Sequence, residues 1–226
     1  MEIEICCGSI QSAVNAKAAG AKRIELCQNL NEGGTTPSYA TIKQCVEELH
    51  LDVYVLVRPR PGNFVYNELE IRNMEDDVRI CKQLDVAGIV VGFLREDGSI
   101  DTELTRRFVE LAAPIPVTFH RAFDRCKDWK QSLEEIIACG CRRILTSGCQ
   151  PTAMEGKEVL KELIALAGDR ITILAGSGVR PDNVRELVTF TGVREVHGSC
   201  KVRTAGNYDE TCAEEVKALL HNALNA

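Results

Sequence analysis

The sequence predicts an α/β fold, a closed (β/α)8 barrel of eight parallel strands, and three observations carry that expectation. Short segments rich in β-branched residues occur at Glu2–Cys6, Arg23–Cys27, Asp52–Val57, Ala87–Gly92, Pro116–His120, Arg142–Thr146, Ile171–Ala175 and Arg194–Gly198. Their starts recur about every 27 residues, the length of a strand–helix–strand unit with a right-handed crossover. The gaps hold amphipathic helical stretches such as Ile10–Ala19, Tyr39–Leu49 and Leu104–Ala112. A chain of 226 residues suits one such barrel over residues 1–226, since about 250 is typical. A doubly wound sheet would carry GxGxxG after its first strand, and CCGSIQSA does not match.

Helix punctuation agrees with the strand spacing. Ser9, Thr36 and Asp101 stand at N-cap positions, with Pro37 at a first helical position. Gly20, Gly140 and Gly168 sit where helices should stop.

Composition narrows the function. Lys and Arg total 27 against 33 Asp and Glu, a formal net charge of −6. So acidic a chain is a poor counter-ion for phosphate backbones, and nucleic-acid binding is not expected. No apolar run nears the ~20 residues needed to cross a bilayer, and MEIEICCGSI has no basic leader region. A cytoplasmic protein without membrane partners is the expectation. Its 11 cysteines are an odd number without a CxxC motif, so reduced thiols are expected. Cys45, Cys81 and Cys212 fall in helical patterns and read as small core hydrophobes.

Strand parity then points to the barrel interior, because alternate side chains face opposite sides. Ile3 and Ile5 form one apolar face of strand 1, which leaves Glu4 and Cys6 inside. The same reading turns Arg23, Glu25 and Cys27 inward, then Tyr54, Leu56 and Arg58, then Thr118 and His120, then Glu195, His197 and Ser199. Ordinary barrels fill this space with branched apolar side chains. Buried charges need partners, so these groups form either a structural ion-pair network or a ligand pocket at the C-terminal mouth. Arg58 is expected to pair with a buried carboxylate.

Several motifs supply candidate chemistry at that mouth. RPRPGNFVY follows strand 3, where Arg58 and Arg60 suit a clamp for carboxylate or phosphate and Phe64 and Tyr66 a lid. TFHRAFD places His120 at the end of strand 5 as a candidate acid/base, with Arg121 and Asp124 beyond it as substrate or anion-binding candidates. Glu25 or Glu4 would set the His120 tautomer, and His197 is a further catalytic candidate. The small-residue loops after strands 7 and 8 make Gly176, Ser177, Gly178, Gly198 and Ser199 anion-site candidates. Cys6, Cys7 and Cys27 fall on strands 1 and 2. Neighbouring strands lie about 4.8 Å apart, near twice a ~2.3 Å metal–sulfur bond. A two-thiolate site across them is within reach, with buried inert thiols as the alternative. Soft thiolates suit Cu(I), and Cys139 with Cys141 offers a weaker pair.

EICCGSIQSA, GAKRIELCQNLNEGGTTPS, RPRPGNFVY, TFHRAFD, LTSG, AGSGV and EVHGS, in that order, resemble the CutC copper-homeostasis family. The match runs from residue 2 to about 200. The resemblance implies a cytoplasmic barrel forming a homodimer or larger homo-oligomer, a role in copper tolerance or trafficking, and Cu(I) held by Cys6 and Cys27. No nucleotide cofactor is expected. An alternative comes from the residues themselves: a barrel enzyme acting on a small anionic metabolite, phosphorylated or a carboxylate. A copper carrier needs only thiols, not arginines, histidines and carboxylates around one mouth.

Overall fold

In the computed structural model, which describes residues 1–226, eight parallel strands hydrogen-bond in chain order and close when β8 pairs with β1. The strands are β1 (Glu2–Cys7), β2 (Arg23–Leu26), β3 (Asp52–Leu56), β4 (Gly88–Val91), β5 (Val117–Phe119), β6 (Arg143–Thr146), β7 (Thr172–Gly176) and β8 (Glu195–Gly198). Seven helices cross between them: α1 (Ile10–Ala18), α2 (Tyr39–Leu49), α3 (Glu68–Gln83), α4 (Thr102–Ala112), α5 (Trp129–Cys139), α6 (Lys157–Ala167) and α7 (Val184–Thr191). After β8 comes a short antiparallel hairpin, β9 (Lys201–Arg203) with β10 (Asp209–Thr211), and then α8 (Ala213–Leu224). Nothing in the strand spacing announced that hairpin, because its exposed β9 lacks apolar alternation.

The apolar core lies outside the barrel, between strands and helices. Ile3, Ile5, Ile24, Leu26, Val53 and Val55 pack there with the helix faces in a cluster of 49 buried residues, whereas only five apolar residues cluster inside. Each such side chain contributes about 1.5–3 kcal/mol on burial. Cys7, Cys45 and Cys81 belong to this outer core. Cys212 does not: it is the half-buried N-cap of α8, and its thiol donates to Glu214 at 3.2 Å. All 11 cysteines are free, and no helix is long and apolar enough to cross a membrane.

Ser9 and Asp101 cap α1 and α4 as expected, each accepting a backbone N–H from the first turn. The cap of α2 is Ser38, not Thr36, so Pro37 lies before the helix. Thr36 is diverted because its Oγ1 accepts the Arg58 N–H at 2.9 Å and donates to the Arg58 carbonyl at 3.2 Å. That exchange ties the loop after β2 to the end of β3, the wall of the barrel mouth.

Candidate functional site at the barrel mouth

Register assembles the site. Cys6 is the Cα partner of Glu25, and Glu4 is the partner of both Arg23 and His197, so three strands deliver their inward side chains at matched heights. At the lower level Arg23 lies 3.1 Å from Glu4 and 2.5 Å from Glu195, and Arg143 reaches Glu195 at 2.8 Å and the Tyr54 hydroxyl at 3.1 Å. The Arg23 Nε–Glu4 Oε2 contact lacks hydrogen-bond alignment, so it acts as a close charge pair. This lower layer is the structural ion-pair network. Arg143 was the residue that strand parity did not place.

Above it the polar groups are less committed. His197 Nδ1 meets Glu4 at 2.9 Å and its Nε2 lies 3.7 Å from Glu25. Burial disfavours the charged imidazole, but the Glu4 hydrogen bond and the charges of Glu25 and Glu4 outweigh it and raise its pKa. Burial likewise opposes ionisation of Glu4, yet His197, Arg23 and Arg143 hold its carboxyl below the usual range. Glu25 moves the other way: burial, with the Glu4 charge, lifts it. The Cys6 thiol donates to Glu25 at 3.2 Å, and its sulfur lies 3.9 Å from that of Cys27. The Cys27 contact, burial and the nearby Glu25 carboxyl push the Cys6 thiol well up. The Cys6 thiol is therefore protonated while it donates to Glu25.

His120 behaves differently from the expectation. Its Nδ1 accepts the Ala122 N–H at 3.1 Å, so the backbone, rather than Glu25 or Glu4, sets its tautomer. The proton sits on Nε2, which is buried and has no partner. Burial and the Arg58 charge lower its pKa to about 3, so this ring is a neutral donor at physiological pH. Gly92 makes room for it: a Cβ there would lie 2.3 Å from His120 Nδ1. Gly92→Ala is expected to cost about 1–3 kcal/mol by overpacking and to break the Ala122 bond. Urea unfolding with imidazole 15N shifts checks both; an unchanged tautomer would show that the ring has room to spare.

These side chains face a cavity of about 500 Å³. Cys6, Cys27, Glu25, His120 and His197 line it, as do Arg58, Arg121, Ser177, Gly178, Gly198 and Ser199. Arg180 and Lys201, which the motifs did not single out, line it as well. Other candidates are engaged elsewhere. Arg60 pairs with Glu70 at 2.5 Å and bonds the Val65 carbonyl at 2.8 Å, folding its own loop. Asp124 accepts from the Ser147 and Cys149 N–H groups at 3.1 Å each, so it anchors the loop after β6. Gly176 ends β7 where a Cβ would meet Leu145 at 2.5 Å, a packing requirement. Glu4 lies beneath His197 and outside the cavity wall.

Arg58 is buried, but not on a carboxylate. It donates to the Gly34 carbonyl at 2.8 Å and the Gly62 carbonyl at 3.0 Å, which leaves its charge unneutralised beside the cavity. Cys141 is in the outer core and Cys139 donates to the Thr102 carbonyl.

The CutC family profile matches residues 1–202. A family protein CutC of Histophilus somni is 48% identical over 201 residues, 89% of this chain and 83% of that protein. The human copper homeostasis protein cutC homolog is 42% identical over 199 residues, 88% of this chain and 73% of that one. A solved CutC structure from Streptococcus agalactiae superposes with a TM-score of 0.83 at 37% identity, covering 88% of this chain and 98% of the other. With a barrel whose mouth gathers two thiols, two histidines and a buried carboxyl, this chain belongs to the CutC family.

Proposed function

We propose that this chain is a cytoplasmic copper-homeostasis protein that binds Cu(I) between Cys6 and Cys27 and serves copper tolerance or trafficking as a homo-oligomer. The observation that carries the reading is the 3.9 Å separation of two reduced sulfurs at the cavity wall. A linear S–Cu–S unit spans about 4.6 Å at ~2.3 Å per bond, so the sulfurs need part by only ~0.7 Å. Soft thiolates select Cu(I) over harder ions. Both thiols must lose their protons on binding, and Glu25, already the acceptor of the Cys6 S–H, stands next to the first. Cys6, Glu25 and His197 also offer donor atoms within 4.8 Å of one another. That mixed set suits harder borderline ions such as Zn(II).

Anaerobic Cu(I) titration against a competing chelator tests the reading. Cys6→Ser/Cys27→Ser is expected to lose most of the binding, while His197→Ala keeps it. Unchanged stoichiometry and affinity in the double serine variant would move the copper site elsewhere. Loss in His197→Ala as well would make the mixed donor set the site.

A further inference from the structure

We propose that the barrel mouth holds a second site, independent of the thiols, for a small phosphorylated metabolite. Its phosphate would rest on backbone N–H groups after β7 and β8, and its carbonyl or hydroxyl oxygen would accept from His120.

The N–H groups of Ser177, Gly178 and Val179 donate to no acceptor within the chain, nor do those of Ser199 and Cys200. All five residues line the cavity. Ser177 and Gly178 are successive left-handed residues, at φ 78° and 67°. Successive N–H groups in a turn conformation form an anion-binding concavity. Left-handed backbone is unfavourable for serine and persists only where its surroundings hold it; here the Ser177 hydroxyl is tied to the Pro151 carbonyl at 2.8 Å. The loops after the seventh and eighth strands are also where barrels of this kind often bind phosphate.

Charge supports the same ligand. Within a chain of net charge −6, the cavity is lined by Arg58, Arg121, Arg180 and Lys201 against Glu25 and Glu215, with Arg121 and Lys201 each paired at 2.8 Å to an aspartate, Asp124 and Asp209. Arg58 contributes without a carboxylate partner, since carbonyls hold it.

The second, independent observation is His120. It is only 5% exposed and lines the cavity, and its Nε2–H has no acceptor. A buried donor left unmade costs about 1–3 kcal/mol, which a ligand oxygen would recover. Phe64 packs on the ring at 4.9 Å between centroids and lies 5.0 Å from the Arg58 guanidinium, so it covers the donor from one side. About 500 Å³ is room for a sugar-phosphate-sized molecule. The inference does not rest on the copper reading.

The test uses the full chain, 15N-labelled, reduced and stripped of metal, titrated with inorganic phosphate, ribose 5-phosphate and ribose. Both phosphate compounds are expected to move the amide resonances of the five residues, and ribose is not. Ribose 5-phosphate should also shift His120 Nε2 and bind about tenfold tighter than inorganic phosphate. Gly178→Asp, which brings a negative charge to the concavity, should weaken both about tenfold. Gly178→Asn, of the same shape and also tolerant of left-handed backbone, should stay within about threefold. The same shifts in Cys6→Ser/Cys27→Ser would support independence from the thiols. Should Gly178→Asp fail to fold, the wild-type amide map decides alone. No shift, or shifts confined to other residues, would overturn the site. Equal affinity for the two phosphate compounds would overturn the metabolite.

Discussion

Arg23→Met is expected to lower the unfolding free energy by about 3–5 kcal/mol, the scale for removing one partner from a buried ion pair. Arg23 is 4% exposed and touches Glu4 at 3.1 Å and Glu195 at 2.5 Å. Removing it strands negative charge inside the barrel, because Glu4 is fully buried and Glu195 nearly so. Glu195 keeps Arg143 and Glu4 keeps His197, so the loss should not exceed that range. A methionine of similar length preserves packing and isolates the charge. Arg23→Met/Glu195→Met should recover part of the stability, since a buried ion pair replaced by apolar groups is often neutral. Urea denaturation of the three proteins measures this. Equal losses in the single and double variants would mean that Arg23 acts by packing, and the electrostatic account of the lower layer would fail.

Most of the barrel was legible because it depends on local periodicity. The Ile and Val alternation in β1, β2 and β3 places their inward residues correctly, and the observed boundaries differ by a residue or two. What parity could not supply was the partner of each inward group. Arg58 points to the mouth as parity requires, yet its guanidinium ends on carbonyls of two loops whose path no strand pattern encodes. Asp124 and Arg121, both anion-site candidates, stand three residues apart and bond each other at 2.8 Å. Asp124 goes to anchoring the loop after β6, while Arg121 stays at the cavity wall. Arg60 and Glu70 form a similar pair across the start of α3. The thiol pair was legible for the opposite reason. Cys6 stands across from Glu25 and Cys27 follows Glu25 by two residues on the same inward face, so one register fixes their distance.

The same logic separates the two inward histidines of the cavity. Both are buried, so burial alone would depress both. His197 has two carboxyl neighbours that reverse the effect, whereas His120 faces the Arg58 cation, which adds to it. One ring therefore holds its proton more tightly than a free imidazole, and the other gives its second proton up readily. A mouth that binds anions gains a permanent neutral donor from the second and an adjustable charge from the first.

That difference predicts a loss of stability in acid that His120 causes. Its pKa falls from 6.5 to about 3 on folding. As pH drops below 6.5 the unfolded chain takes up this proton and the native chain does not. The contribution of His120 is thus fully present above pH 6.5 and is lost as pH falls toward about 3. Each unit is worth about 1.4 kcal/mol, so the loss should reach about 3 kcal/mol by pH ~4.5. His197 works with the opposite sign. Its raised pKa stabilises the fold below 6.5, and that contribution fades as pH rises through the native value. Glu25, also raised, has the sign of His197, while lowered Glu4 loses its contribution only below 4.5. The difference between wild type and His120→Asn removes these shared effects, and asparagine can still accept the Ala122 N–H through its side-chain oxygen. Urea unfolding of both proteins from pH 7 to 4.5 should therefore show a steeper decline in wild type, with the two curves converging by about 3 kcal/mol relative to their separation at pH 7. Parallel curves would mean that His120 is protonated in the native barrel, and the neutral donor at the mouth would be lost with it.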